Sequence, residues 1–147
     1  MREDMMNKLK VILADTYALY LKTQNYHWHV TGPQFKPLHE LFEIQYRELA
    51  EAIDAIAERI RILGHIAPAS FHDFMHLKTL QDGDAEHNSN QMVTELALDH
   101  GTLVRDLNQA LVLAQAANDE GTVALLSERI AAHEKTRWML SASTEKS

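Results

Sequence analysis

Two pairs of polar side chains in one predicted helix are the residues of this chain best suited to bind a metal ion. His39 and Glu43 are four residues apart, and Asp54 and Glu58 repeat that interval. At about 100° per residue of an α-helix, these side chains fall at roughly 0°, 40°, 60° and 100° around its axis, which is a single stripe. Neutral imidazole and carboxylate groups suit divalent iron, manganese or zinc. The stripe therefore predicts a divalent metal site.

The length of the helix decides how such a site could be built. His39 and Asp54 are fifteen residues apart, which corresponds to about 22 Å along an α-helix. Because metal–ligand bonds are only about 2 Å long, one straight helix cannot bring both pairs to one site. Two antiparallel copies related by a two-fold axis near Glu48 and Leu49 would place each pair opposite the other pair of the partner. The spacing therefore predicts two identical sites between two subunits.

A solvated helix face is the alternative interpretation of the same residues. Charged residues at four-residue spacing usually lie in water, where Arg47, Arg59 and Arg61 could form weak ion pairs with Glu43 and Glu58. The second pair on the same stripe favours the metal site. The spacing alone leaves both interpretations open.

The elements that would carry the stripe are helices. Apolar residues at helical spacing predict four long helices and one short one, over about Asp4–Val30, Lys36–Leu63, Ser70–Leu77, Asp84–Ala117 and Glu120–Ser141. Only 5 Gly and 3 Pro interrupt the 147 residues, and neither a repeat nor a linker divides them. We therefore expect one domain, 1–147, with an all-α fold: a four-helix bundle with a short helix in the long crossover between the second and third long helices.

Composition narrows the classes of function. The formal net charge of −7 disfavours nucleic acid as a partner and attracts metal cations. The absence of Cys excludes disulfides, thiolate metal sites and thiol nucleophiles. The apolar run Val11–Ala14 is too short for a signal peptide or a membrane span, so we expect a cytoplasmic location and no membrane partner.

A longer set of motifs spans the first two predicted helices. It consists of His27-Trp28-His29-Val30-Thr31-Gly32-Pro33-Gln34-Phe35, then Leu38-His39-Glu40-Leu41-Phe42-Glu43, then Asp54-Ala55-Ile56-Ala57-Glu58-Arg59. This combination resembles the Dps family of mini-ferritins, in which HW is followed by a Gly and a Phe, an LH pair, and D-x-x-x-E-R. The closing stretch through Lys135, Trp138, Met139 and Leu140 is also similar.

The resemblance implies a set of ferroxidase residues. The implied iron ligands are His27, His39, Glu43, Asp54 and Glu58. Glu43 stands where many members have Asp, and its longer arm leaves open whether it touches iron. Trp28 is similar to the tryptophan beside that centre, where it would donate electrons or quench radicals; a simple amphipathic anchor at a helix end is the alternative. His29 would point elsewhere, as a surface or auxiliary residue.

The resemblance also implies an activity and an assembly. We expect a homo-oligomer of two-fold dimers, in the family usually a dodecamer, that oxidises two Fe(II) ions per site with hydrogen peroxide and stores the ferric mineral in its hollow shell. Zinc or manganese could bind to the isolated protein. The rival function is DNA compaction, for which family members commonly use a Lys-rich arm. Here Arg2 is offset by Glu3 and Asp4, and the tail Ser141–Ser147 has one Lys and one Glu, so DNA binding is disfavoured.

Several further polar residues have no place in this site. His72 and His76 could hold an accessory metal, although contact with a neighbouring subunit is favoured. Asp119 and Glu120 would stabilise the start of the last helix, because carboxylates interact favourably with the positive end of the helix dipole. The resemblance implies a second role for them, since acidic residues of this region line iron-entry pores in the family. The remaining histidines have no partner at ligand spacing and are expected at the surface or in helix caps: His65, His87, His100 and His133.

Overall fold

Five helices make up the part of the chain that the structure describes. The computed structural model describes residues 2–144, so Met1 and residues 145–147, the end of the charge-poor tail, lie outside the described residues. The helices are α1 Arg2–His29, α2 Phe35–Ile62, α3 Phe71–Leu77, α4 Ser89–Ala116 and α5 Glu120–Ala142, with no strand among residues 2–144. None of these described helices is long and apolar enough to span a bilayer. The predicted all-α architecture is confirmed.

The four long helices enclose one apolar core. Helix α1 packs against α2 and α4, and α5 packs against α4 and α2, whereas the short α3 lies on α1. The apolar stripe predicted for α2 faces this core, with Phe42, Leu49 and Ile56 almost completely buried. Helices α2 and α4 run parallel, so the chain must cross the length of the bundle between them, and α3 lies within that crossover.

The helix ends follow local backbone chemistry. Gly64 ends α2 with a φ of 90°, a conformation that glycine adopts without strain. The Ser70 hydroxyl caps α3 by accepting from the Asp73 backbone N–H. The predicted start of the third long helix at Asp84 is wrong, because Asn88 and Gln91 form a capping box that fixes the first turn of α4 at Ser89.

Two buried charges of α1 hold the end of the crossover. The fully buried Asp15 carboxylate accepts hydrogen bonds from the Thr79 backbone N–H at 2.7 Å, the Thr79 hydroxyl at 2.6 Å and the Leu80 N–H at 3.1 Å. About two helical turns further along α1, the Lys22 ammonium donates a hydrogen bond to the Gln81 carbonyl at 2.9 Å. These bonds fix the returning chain against the face of α1 from which it passes into α4.

The Asp15→Ala variant should therefore lose much of its stability. It leaves the buried Leu80 N–H, and the N–H and hydroxyl of the exposed Thr79, without their charged acceptor, for which we expect a loss of about 2 kcal/mol in the free energy of unfolding. Asp15→Asn, whose amide oxygen can still accept, should lose less. Urea unfolding of both variants checks the order; equal losses would contradict it.

Candidate metal centre

His27 and His39 meet where α1 and α2 form an antiparallel hairpin. The two imidazole rings stack with centroids 3.8 Å apart and planes 12° apart. His27 is 6 % exposed and His39 is half-buried. The contact pairs a residue of the last turn of α1 with one of the first turns of α2, because a link of only five residues joins the helices.

Reciprocal hydrogen bonds select one tautomer of each neutral ring. The His27 Nδ1 lies 2.6 Å from the His39 carbonyl oxygen, and the His39 Nδ1 lies 2.6 Å from the His27 carbonyl oxygen. A carbonyl only accepts, so each Nδ1 must donate, and each neutral ring keeps its lone pair on Nε2. A bond from the second ring nitrogen to a carbonyl is the usual way in which a protein orients a metal-ligating histidine. Both Nε2 atoms are therefore prepared to accept a cation.

Glu43 adds a carboxylate to the same end of α2. Its Oε1 lies 3.8 Å from the His27 Nε2, a separation that one ion with bonds of about 2 Å to each atom could span. Its Oε2 accepts from the Arg47 Nε at 3.0 Å, and this hydrogen bond raises the pKa of Arg47. The arginine thus steadies the longer arm of Glu43 without covering the oxygen that faces His27.

Asp54 and Glu58 lie far from these residues within one chain. Both are exposed on the same continuous helix, and neither forms an ion pair with any residue of 2–144. Within the same described range, no three His, Asp or Glu side chains are arranged to hold a metal ion. One chain therefore presents two separate sets of donors, two imidazoles with a carboxylate at one end of α2 and two carboxylates at the other.

Trp28 and His29 are both exposed at the end of α1. Trp28 is 60 % exposed at the end of α1. His29 is exposed as well, and its Nδ1 donates to the Asn25 carbonyl at 2.8 Å. Neither side chain contributes to the pairing of His27 with His39.

Arg59, the last residue of the D-x-x-x-E-R motif, fastens α2 to the start of α5. Its Nη2 donates to the Asp119 carboxylate at 2.8 Å and its Nε donates to the Thr122 hydroxyl at 3.0 Å. Burial alone would raise the pKa of Asp119, but the hydrogen bonds from Thr122 and the charge of Arg59 outweigh it and lower that pKa. Arg59 thus pairs with Asp119, not with Glu43 or Glu58 as the solvated-face interpretation allowed, whereas Arg47 does pair with Glu43.

The expectation that His100 and His133 lie at the surface is wrong. They are 1 % and 2 % exposed, and their Nδ1 atoms lie 2.8 Å apart between α4 and α5. Burial, with a contribution from the Arg129 charge, lowers the pKa of His100 to about 3. His72 and His76 are exposed on α3, where their rings meet edge to face at 4.5 Å, and their predicted contact with a neighbouring subunit stays a prediction.

The site also contains a residue that motif spacing did not single out. The Tyr46 ring meets the His27 ring edge to face, with centroids 5.4 Å apart. Tyr46 lies three residues after Glu43 and seven after His39, so helical spacing puts it on the flank of α2 that faces α1. That spacing is the signal that could have found it.

Comparison with known proteins places the chain in a family. The family model of the ferritin-like domain matches residues 6–146. The DNA protection during starvation protein 2 of Bacillus anthracis is 34 % identical over 142 residues, which are 97 % of each chain. The solved Dps of Thermosynechococcus elongatus superposes with a TM-score of 0.95 at 31 % identity, covering 99 % of this chain and 93 % of that one. The chain is a Dps-family mini-ferritin.

A further solved relative connects this mini-ferritin with a known type of metal chemistry. The Dps of Vibrio cholerae is 32 % identical, with a TM-score of 0.91 over 95 % of this chain and 88 % of that one. That protein is described as a member of a broad superfamily of ferritin-like diiron-carboxylate proteins. The donors that this mini-ferritin offers, imidazole Nε2 atoms and carboxylates, are of the class that binds ferrous iron.

Proposed function

We propose that this mini-ferritin is a ferroxidase whose di-iron site forms between two subunits, and that it stores the oxidised iron inside a closed shell. One observation carries the proposal: the prepared histidine pair with Glu43 stands at one end of an unbroken α2, and Asp54 with Glu58 at the other. Neither set alone gives two metal ions enough ligands. Each set supplies what the other lacks.

A two-fold axis near Glu48 and Leu49 would complete the site. Two α2 helices packed antiparallel about it would bring His39 and Glu43 opposite Glu58 and Asp54 of a second copy, and the same operation would build a second identical site. Large apolar side chains on α2 and just after it support association with further copies: Ile44, Ile62 and Ile66 are each more than half exposed. A chain that functioned alone would leave this surface in water.

The chemistry follows from the donors. Two ferrous ions, one molecule of hydrogen peroxide and two of water give two units of ferric oxyhydroxide and four protons. Each ion loses one electron, and the two electrons together cleave the O–O bond, so no hydroxyl radical is released. The Nε2 atoms of His27 and His39 would hold iron, and Asp54, Glu58 and Glu43 would balance its charge. Ligation rich in carboxylates favours hard cations and lets the product hydrolyse and move on to the mineral.

His39→Ala and Asp54→Ala should each abolish fast iron oxidation. Each removes a direct donor from one half of the proposed site, so the initial rate of peroxide-dependent Fe(II) oxidation, followed by absorbance of the ferric product, should fall to that of buffer. His29→Ala, on the exposed side of α1, is the matched control and should keep the wild-type rate. Wild-type rates in both donor variants would refute the proposal.

DNA compaction remains the other candidate, and no feature of the described residues favours it. The name of the Bacillus anthracis relative refers to DNA protection by that protein. In this chain the formal net charge is −7, and Arg2 at the start of α1 is followed at once by Glu3 and Asp4. Phosphate backbones bind to segregated Lys and Arg, whereas the first turn of α1 mixes Arg2 with Glu3 and Asp4.

A further inference from the structure

A series of tyrosine rings leads from the histidine pair along the groove between α1 and α2. Tyr46 lies beside His27, Tyr20 meets Tyr46 with ring centroids 5.9 Å apart, and Tyr17 meets Tyr20 at 5.6 Å. All of these contacts are edge to face, so consecutive rings are in van der Waals contact. Three of the 4 tyrosines of the chain belong to this series.

The far end of the series lies close to the surface. The Tyr17 ring packs against Phe74 of α3 at 4.9 Å and lines two apolar pockets on either side of that contact. All three tyrosines are half-buried. The Tyr20 hydroxyl accepts a hydrogen bond from the Gln24 amide at 3.1 Å, which leaves its own proton free to be donated.

We propose that Tyr46, Tyr20 and Tyr17 form an electron-transfer relay that protects the centre when only one ferrous ion is bound. This inference rests on the proposed ferroxidase function. A single ferrous ion can give peroxide one electron only, which would release a hydroxyl radical. If Tyr46 supplies the second electron, one ferrous ion, one tyrosine and one hydrogen peroxide yield one ferric ion, one tyrosyl radical, one water and one hydroxide. The phenolic proton goes to the oxygen that becomes water.

The radical then moves outward by repetition of one step. Tyr20 gives an electron and its phenolic proton to the Tyr46 radical, which restores Tyr46, and Tyr17 does the same for Tyr20. At Tyr17 a one-electron reductant of the ascorbate class, arriving from solvent, supplies the last electron and proton. The oxidising equivalent thus leaves the iron ligands without damaging them.

The two remaining oxidisable aromatic residues near His27 suit this role less well. Tyr26 is fully buried, its hydroxyl accepts from the Asp84 backbone N–H, and burial together with the Glu95 carboxylate raises the pKa of Tyr26 to about 12. Among residues 2–144, the Tyr26 ring contacts neither the His27 ring nor any ring of the series. Among residues 2–144, the Trp28 ring contacts neither histidine ring, whereas the Tyr46 ring contacts His27.

Freeze-quench electron paramagnetic resonance of the assembled protein tests the relay. With one ferrous ion per site and excess peroxide, wild type should give a tyrosyl signal, normalised to iron oxidised, and little hydroxyl-radical spin adduct. Tyr46→Phe keeps the ring and removes the hydroxyl, so the signal should be lost and the spin adduct should rise several-fold. Tyr17→Phe should keep the signal but slow its decay with ascorbate.

Tyr26→Phe is the control, because it removes a tyrosine outside the series and should keep the wild-type signal. An undiminished signal in Tyr46→Phe, or an equal loss in Tyr26→Phe, would overturn the relay. Wild-type protein that oxidises iron rapidly without any tyrosyl signal would also overturn it, while the ferroxidase proposal would stand. Wild-type protein that oxidises iron no faster than buffer would instead refute the ferroxidase proposal itself.

Discussion

Co-production of the His39→Ala and Asp54→Ala variants in one cell should restore about a quarter of the proposed ferroxidase sites, because the proposed two-fold interface divides each site between two chains. In a mixed dimer, one site lacks both donors and the other has both. Random pairing makes half of all dimers mixed, and each mixed dimer has one intact site of two. The restored fraction is read from the amplitude of the fast phase of peroxide-dependent iron oxidation.

The matched control pairs two variants of the same half-site. His27→Ala combined with His39→Ala leaves every mixed site without one imidazole, so its fast phase should stay absent. Variants that are assembled separately and then mixed should also stay inactive unless subunits exchange. No recovery in the His39→Ala and Asp54→Ala mixture, or equal recovery in the control mixture, would mean that the site is not shared in this way.

The sequence was enough to place these donors because their arrangement depends on one helix only. The period and rise of an α-helix place His39, Glu43, Asp54 and Glu58 on one stripe and separate the two pairs, whatever the rest of the fold does. Helix α2 is indeed continuous from Phe35 to Ile62. The four long helices could be predicted for the same reason, because each segment has apolar residues at helical spacing.

Contacts between helices could not be predicted in this way. The reciprocal bonds of His27 and His39 depend on the register of the α1–α2 hairpin, which no spacing within α2 contains. Tyr46 reaches His27 through the same register. The motifs that resemble the Dps family named the histidines, but the tautomer that prepares them to bind metal became visible only in three dimensions.

The buried histidines of α4 and α5 show the same limit. His100 and His133 stand alone on their helices, and a lone polar residue usually lies at the surface. Antiparallel packing of α4 against α5 brings them together, and the Arg129 guanidinium then donates to the His133 Nε2 at 3.0 Å. Arg129 in turn is paired with the Glu48 carboxylate of α2. Three buried polar residues of α4 and α5 thus join the half-exposed Glu48 of α2 in one hydrogen-bonded group that no single helix reveals.

The hydrogen bonds of this group form a chain in which Arg129 donates to His133 and His133 donates to His100. Arginine only donates, so the His133 Nε2 must accept, and the proton of His133 must be on Nδ1. That Nδ1–H then donates to the His100 Nδ1, which leaves the His100 proton on Nε2. Neither ring can bind a second proton without breaking this chain beside a guanidinium. Burial, the neighbouring His100 and Arg129 accordingly lower the pKa of His133 well below its usual value.

This group should make the bundle sensitive to acid. The unfolded chain takes up a proton on each histidine below a pKa of about 6.5, whereas the folded chain does not, so the free energy of unfolding falls as the pH falls through this window. With a folded pKa of about 3, His100 alone should lower it by about 2 kcal/mol between neutral pH and pH 5. The stability is fully present above about pH 6.5 and continues to fall until the pH approaches the folded pKa.

Urea unfolding between pH 7 and pH 4.5, at fixed protein concentration and with metal removed by chelation, measures this dependence. The double variant His100→Leu, His133→Leu removes both titrating rings, so its stability should change much less with pH than that of wild type. His29→Ala, which removes an exposed ring, should keep the wild-type slope. The double variant also takes away the hydrogen-bond acceptor that His133 offers to Arg129. Because arginine stays charged throughout this range, that loss should change the free energy of unfolding by a similar amount at every pH. The slope, and not the absolute stability, therefore reports on the buried pair, and a double variant as steep as wild type would assign the acid sensitivity to other groups.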